Sequence, residues 1–136
     1  MDLLKAMQLS AAGLKVEEKR MRVVAENLAN ADNMASEPGG DPYRRQIITF
    51  KNVLDRSLGI KKVEVDKILT DNSKFEERYD PGNPAADAKG YVRMPNVKSM
   101  VELMDMKQAQ RTYEANLNVI QAAKSMLQKT IDLLRA

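Results

Sequence analysis

Every proline in this 136-residue chain lies between positions 38 and 95. Pro38, Pro42, Pro81, Pro84 and Pro95 share that window with Gly39, Gly40, Gly59, Gly82 and Gly90. The flanks, 1–33 and 96–136, contain no proline and a single glycine, Gly13. Proline inside a helix costs about 3 kcal/mol and glycine about 1. Two long terminal helices around a turn-rich middle is therefore the economical arrangement. It divides the chain into an N-terminal helix within 1–33, an irregular segment at 34–95 and a C-terminal helix within 96–136.

Periodicity agrees. Leu103, Met106, Gln110, Tyr113, Leu117, Ile120, Lys124, Leu127, Ile131 and Leu134 follow one another in steps of three and four. Only Gln110 and Lys124 in that series are polar, and the alternation is the heptad signal of coiled-coil packing. A helix over about 97–135, with Asn96 as its N-cap, would run about 58 Å at ~1.5 Å per residue. That is longer than a compact domain of this size uses. In the N-terminal segment Met7, Leu14, Met21 and Leu28 recur every seven residues, with Leu3, Val24 and Ala25 beside them. Ser10, Glu17 and Glu18 interrupt the stripe, and the many alanines keep it slim. A slim helix lets neighbours approach on more than one side.

The middle reads as turns and short strands. Glu37-Pro-Gly-Gly-Asp-Pro42 and Tyr79-Asp-Pro-Gly-Asn-Pro84 are turn sequences. Tyr43–Phe50, Ile60–Leu69, Lys74–Tyr79 and Gly90–Met94 are prone to extended structure. The expected fold is mainly α: two long terminal helices packing as a coiled-coil-like bundle in an assembly, with a small irregular β-containing middle.

The side-chain inventory narrows the chemistry. Cysteine and histidine are absent, which removes disulfides, thiolate and imidazole catalysis, and the usual zinc sites. No cofactor or metal site is expected. Lys and Arg number 22 against 19 Asp and Glu, too even a balance for a dedicated nucleic-acid binder. Tyr43-Arg44-Arg45 and Lys61-Lys62 form the best candidate basic patch, but Asp41, Asp55, Glu64 and Asp66 intersperse it. Among carboxylates, Glu76 and Glu77 would point to opposite faces of a strand and cannot share a substrate. Asp80 and Asp87 lie in proline turns, where aspartate serves the backbone. No segment approaches the length of a membrane-spanning helix, and the opening residues lack the pattern of a cleaved secretory signal. An enzyme is not expected.

The apolar seams carry more weight. Burying a Leu, Ile or Met side chain contributes about 1.5–3 kcal/mol, so a seam that the chain cannot cover itself drives association. The expected assembly interface comprises Met7, Leu14, Met21, Val24 and Leu28 on the first helix. On the second it comprises Leu103, Met106, Tyr113, Leu117, Ile120, Leu127, Ile131 and Leu134.

Several motifs then coincide in order. Ser10-Ala-Ala-Gly-Leu14 and Val24-Ala-Glu-Asn-Leu-Ala-Asn30 are followed by Gly39-Gly-Asp-Pro-Tyr-Arg-Arg-Gln46. Tyr79-Asp-Pro-Gly-Asn-Pro-Ala-Ala-Asp87 leads into Gly90-Tyr-Val-Arg-Met-Pro-Asn-Val97, and Arg111-Thr-Tyr-Glu-Ala-Asn116 comes later. Over nearly its whole length the chain resembles the axial proteins of the bacterial flagellar rod and hook, within them the proximal-rod subunits. The motif residues that carry the resemblance include Asn27, Asn30, Tyr43, Arg44, Arg45, Asp80, Pro81 and Gly90. Tyr91, Pro95, Asn96, Arg111, Tyr113 and Asn116 complete them. Asn33 and Lys98 depart from the family pattern, which favours Thr and Asn there.

The resemblance implies a structural subunit of a helical drive shaft that transmits motor torque and surrounds an export channel. It implies export through the flagellar type III apparatus without a cleaved signal. The implied partners are copies of the chain itself, related rod subunits, the ring-to-rod adaptor FliE and the MS ring. It also implies that the terminal helices form the tube while the middle segment decorates its outside. The alternative reading is an adaptor or binding module that grips a partner through its central β segment.

Overall fold

The computed structural model describes residues 2–136. Six elements follow in order: α1 (Leu3–Ala29), β1 (Gln46–Asp55), β2 (Ile60–Thr70), β3 (Glu76–Tyr79), β4 (Tyr91–Met94) and α2 (Ser99–Arg135). Asp2 opens α1 as its cap, its Oδ1 accepting from the Leu4 amide at 3.0 Å. Asn30 closes it, donating from its side chain to the Glu26 carbonyl at 2.8 Å.

The expectation of a mainly α fold overstates the helix. Helices hold 47% of the residues and strands 21%, so the middle is a substantial β region. Its longest part is a hairpin of 10 and 11 residues. The connection from Arg56 to Gly59 is too short for anything but antiparallel pairing. Arg45 lies opposite Asp71, whose amide donates to its carbonyl at 2.8 Å. Thr49 lies opposite Lys67, with its hydroxyl 3.2 Å from both the amide and the carbonyl of that residue. Ile47, Ile48, Thr49 and Val53 on one strand, and Ile60, Val63, Val65 and Ile68 on the other, supply the β-branched side chains that favour a pleated surface. The prolines do not interrupt these strands, because all five lie in the connections.

The second sheet is small. β3 and β4 pair antiparallel, with Glu76 opposite Met94 and Tyr79 opposite Tyr91.

Two compact units divide the chain. The first holds α1 through Met21, Thr49–Lys67 and Lys107–Ala136. Ser10, Val16, Glu17, Ala109 and Ala123 are buried there. Gly13 sits so close to Asn116 that a Cβ built on it would stand 2.6 Å from Asn116 Nδ2. The only glycine of either helix thus marks a close approach.

The second unit holds Arg22–Ile48 and Ile68–Met106. Its buried apolar residues are Val23, Val24, Ala85 and Val92, and it also buries Asn27 and Glu102. Gly90 turns the chain into β4 with φ of 84°, and a Cβ there would lie 2.9 Å from the Tyr79 ring. Only glycine satisfies both conditions without strain.

Candidate assembly surface and its polar clasp

In the second unit the motif residues converge on a buried amide. Asn27, in the last turns of α1, is 1% exposed. Its Oδ1 accepts from the Gln46 amide and from the Tyr43 hydroxyl, both at 2.9 Å. Its Nδ2 donates to the Gln46 carbonyl at 2.9 Å and to Glu102 Oε2 at 3.2 Å. An asparagine side chain has two acceptor sites and two donor hydrogens, so all four are used. The pair of bonds to Gln46 mimics a strand partner, and it fixes where β1 begins against α1.

Glu102, fully buried in the first turn of α2, is held from two directions. One carboxylate oxygen takes the Asn27 amide, and the other takes Arg45 Nε. The same guanidinium lies 3.6 Å from Asp71 and 3.7 Å from Asp105. Burial lowers the Arg45 pKa, but the bond to Glu102 and the surrounding carboxylates raise it further, so the net shift is upward. Burial, with the nearby charges of Glu26 and Glu102, also raises the Tyr43 hydroxyl above its ordinary value. Asp71 moves the other way, chiefly because it accepts from the Ser73 amide.

Asn96 extends the clasp instead of capping α2, which corrects the expectation drawn from its position. Its Oδ1 accepts from the Arg45 amide at 2.7 Å, and its Nδ2 donates to the Asp71 carbonyl at 2.9 Å. Its side-chain amide joins the residue before β1 to the residue after β2, and the helix begins three positions later, at Ser99. Pro95 beside it is buried. Asn27, Tyr43, Arg45 and Asn96 therefore share one network, with Gln46, Asp71, Glu102 and Asp105 added by the structure.

A second motif group builds the turn between β3 and β4. Asp87 Oδ1 accepts from the amides of Lys89 and Tyr91 at 2.8 and 2.9 Å, and the Tyr91 amide is the main reason its pKa is lowered. The Asp80 amide donates to the Gly90 carbonyl at 2.9 Å. Pro81 lies under Gly90, and the Tyr79 and Tyr91 rings meet edge to face at 5.3 Å. Arg44 lies over the Phe75 ring at 4.2 Å. Arg93 ties the 39–41 loop down, donating to the Gly39 and Gly40 carbonyls and facing Asp41 at 3.0 Å. These carboxylates and cations serve the backbone or one another, and among the described residues no group has the makings of a metal site. Asn30 is the cap of α1, Arg111 is exposed, and Tyr113 and Asn116 are half-buried.

The helical seams divide in an informative way. On α1, Val24 is buried and Met7, Leu14, Met21 and Leu28 are half-buried. On α2, Met106, Tyr113, Ile120 and Leu127 are half-buried. The line that completes their burial is Glu102, Ala109, Asn116 and Ala123, one position before the larger side chains of the sequence seam. Leu103, Leu117, Ile131 and Leu134 instead remain exposed, Leu117 by 38% and Leu134 by 84%. Leu133, Met126, Met104 and Met100 are exposed as well. The helix thus leaves apolar side chains uncovered beside its packed stripe and at its C-terminal end, where Ile131 and Leu134 continue the line of Ile120 and Leu127. Among the described residues no helix is long and apolar enough to cross a membrane.

Comparison with known proteins agrees with the motif order. Residues 88–133 match the family described as flagellar basal body rod FlgEFG protein C-terminal. The flagellar basal-body rod protein FlgC of Agrobacterium fabrum is 47% identical, over 96% of this chain and 94% of its own length. FlgC of Salmonella typhimurium is 38% identical over 98% of both chains. FlgC of Bacillus subtilis is 36% identical over 94% of this chain and 95% of its own. The chain belongs to the FlgC family of flagellar basal-body rod proteins.

Proposed function

We propose that this chain is a structural subunit of the flagellar rod, located in the basal body, and that it works by packing rather than by catalysis. The observation that carries this reading is full-length similarity to rod proteins in a chain whose second helix leaves Leu103, Leu117, Ile131 and Leu134 uncovered. The adaptor reading has no comparable support.

In the finer proposal, the terminal segments 1–33 and 96–136 form the wall of a helical tube, and 34–95 lies toward its outside. Neighbouring rod subunits and further copies of the chain cover the exposed apolar side chains of α2 by coiled-coil-like packing. Contacts of this kind are heterologous and do not close, which is how an open helical assembly grows. Many such contacts per subunit would stiffen a shaft that carries torque. The ring-to-rod adaptor FliE and the MS ring are the proposed neighbours at the base, and the type III export apparatus the proposed route. Apolar surface that waits for partners also suits export, since the cost of ordering is then met at the interface.

Complementation tests the reading. In a strain lacking its own copy, the wild-type gene should restore basal bodies and swimming, while Leu117→Asp should restore neither. A Leu117→Asp strain that swims normally would contradict it.

A further inference from the structure

The sulfur chemistry of the chain rests wholly on methionine, since it has nine Met and no Cys. Those methionines are not equivalent. Met100 and Met104 lie one turn apart at the start of α2 and are 71% and 67% exposed. Val101 and Leu103 beside them are also exposed, so the four make one apolar patch on the helix face that Glu102 does not use. Met126, alone further along α2, is 55% exposed, and Met106, two residues beyond Met104, is half-buried. Met34 is half-buried too, its sulfur 3.8 Å from Asn83 Nδ2.

We propose that Met100 and Met104 are an oxidation site in the free subunit, and that their conversion to sulfoxides blocks incorporation into the rod. The inference rests on the reading of the chain as a rod subunit whose α2 surface is covered by a neighbouring subunit. The oxidant is a peroxide. A thioether lone pair attacks the outer peroxide oxygen, an S–O bond forms as the O–O bond breaks, and water leaves. Sulfur loses two electrons and the peroxide gains them. A flexible apolar side chain becomes a polar one carrying a strong acceptor oxygen. That oxygen, buried against a neighbour's apolar surface without a donor, opposes docking. Methionine sulfoxide is a modification that enzymatic reduction can reverse. Once a neighbour covers the patch, the thioethers are shielded and the assembled shaft resists the same oxidant.

One tryptic peptide, Ser99–Lys107, carries Met100, Met104 and Met106, so the order of reaction can be read within a single fragment. Purified full-length chain treated with dilute hydrogen peroxide should gain oxygen on Met100 and Met104 well before Met106. In cells carrying Met126→Leu throughout, the pair Met100→Leu and Met104→Leu should swim and keep swimming after peroxide exposure before rod assembly, while the chain that keeps Met100 and Met104 should not. The polar pair Met100→Gln and Met104→Gln should lose rod incorporation with no oxidant present. Equal reactivity of Met106, normal swimming by the Gln pair, or failure of the Leu pair would each overturn the proposal. The wild-type arm reports separately on the rod reading, which fails if the untreated wild-type gene does not restore basal bodies.

Discussion

Asn27 and Glu102 are 75 positions apart in sequence and share a buried hydrogen bond of 3.2 Å. The bond ties the last turns of α1 to the first turn of α2, and both partners also hold the entry to β1, through Gln46 and the preceding Arg45. One amide and one carboxylate thus set the relative placement of three segments within the second unit. The assembly account depends on this division: polar bonds fix the subunit internally, and the apolar side chains of α2 are left for neighbours.

Asn27→Asp should be among the most damaging single changes in the clasp. It removes both Nδ2 donors and brings a second carboxylate against Glu102. Loss of buried partners costs about 1–3 kcal/mol per unsatisfied group, and more when a charge is involved. The urea midpoint of the full chain should drop accordingly, with Asn27→Ala less harmful than Asn27→Asp. A midpoint unchanged by Asn27→Asp would mean that the clasp does not hold the unit.

Arg45→Ala should destabilise more than Arg44→Ala, although the two are sequence neighbours. Arg45 bonds the fully buried Glu102, and removing one side of such a pair costs about 3–5 kcal/mol in well-buried cases. Arg44 instead lies over an aromatic ring, an interaction of about 0.5–1 kcal/mol where exposed. Paired thermal melts of the two variants give the ranking, and the reverse order would contradict it.

Gly13→Ala sets two effects against each other. Alanine gains about 1 kcal/mol of helix propensity, but its Cβ meets the Asn116 amide. Overpacking of this kind costs about 1–3 kcal/mol, so a net loss is expected. Asn116→Ala in the same chain should relieve it. A double-mutant cycle should give a coupling of about 0.5–3 kcal/mol, and a coupling of zero would mean that the two residues do not meet.

Acid should weaken the fold in a defined window. Lys62 Nζ, 2.5 Å away, and the Ser57 hydroxyl hold Asp55 at a pKa of about 2. Asp71 and Asp87 are lowered as well, each chiefly by a backbone amide. Unfolded aspartates titrate near 4. A lowered folded pKa contributes stability that is present above about pH 4 and disappears as pH falls toward the folded value. Urea midpoints should therefore hold steady from about pH 7 to pH 5 and fall from about pH 4 to pH 2. A midpoint that rises on acidification would contradict these placements.

The positions of the prolines make both helices legible in the sequence, because a long stretch without Pro and with no Gly but Gly13 has few other uses. On α2 the burial within the chain follows a line that hydrophobicity does not mark. Met106, Tyr113, Ile120 and Leu127 are half-buried beside Ala109, Asn116 and Ala123, while Leu103 and Leu117 stay exposed. Hydrophobicity favours the leucines, whereas close approach, as at Gly13 and Asn116, favours small side chains. Glu102 and Asp71 left no local signal, since Arg45 is 57 positions from the first and Asn96 25 from the second. Deleting 60–75 would remove Asp71 and Ser73, both partners of Asn96, and open the clasp.

The most direct measurement uses the absence of native cysteine. Leu117→Cys, Leu134→Cys and, at the exposed hairpin tip, Arg56→Cys can each be labelled with a maleimide, first in the free subunit and then in purified basal bodies. The account predicts that all three react in the free chain, and that in basal bodies only the Arg56 position still does. Equal labelling of Leu117→Cys and Leu134→Cys in both states would show that no neighbour covers α2, and would contradict the central claim.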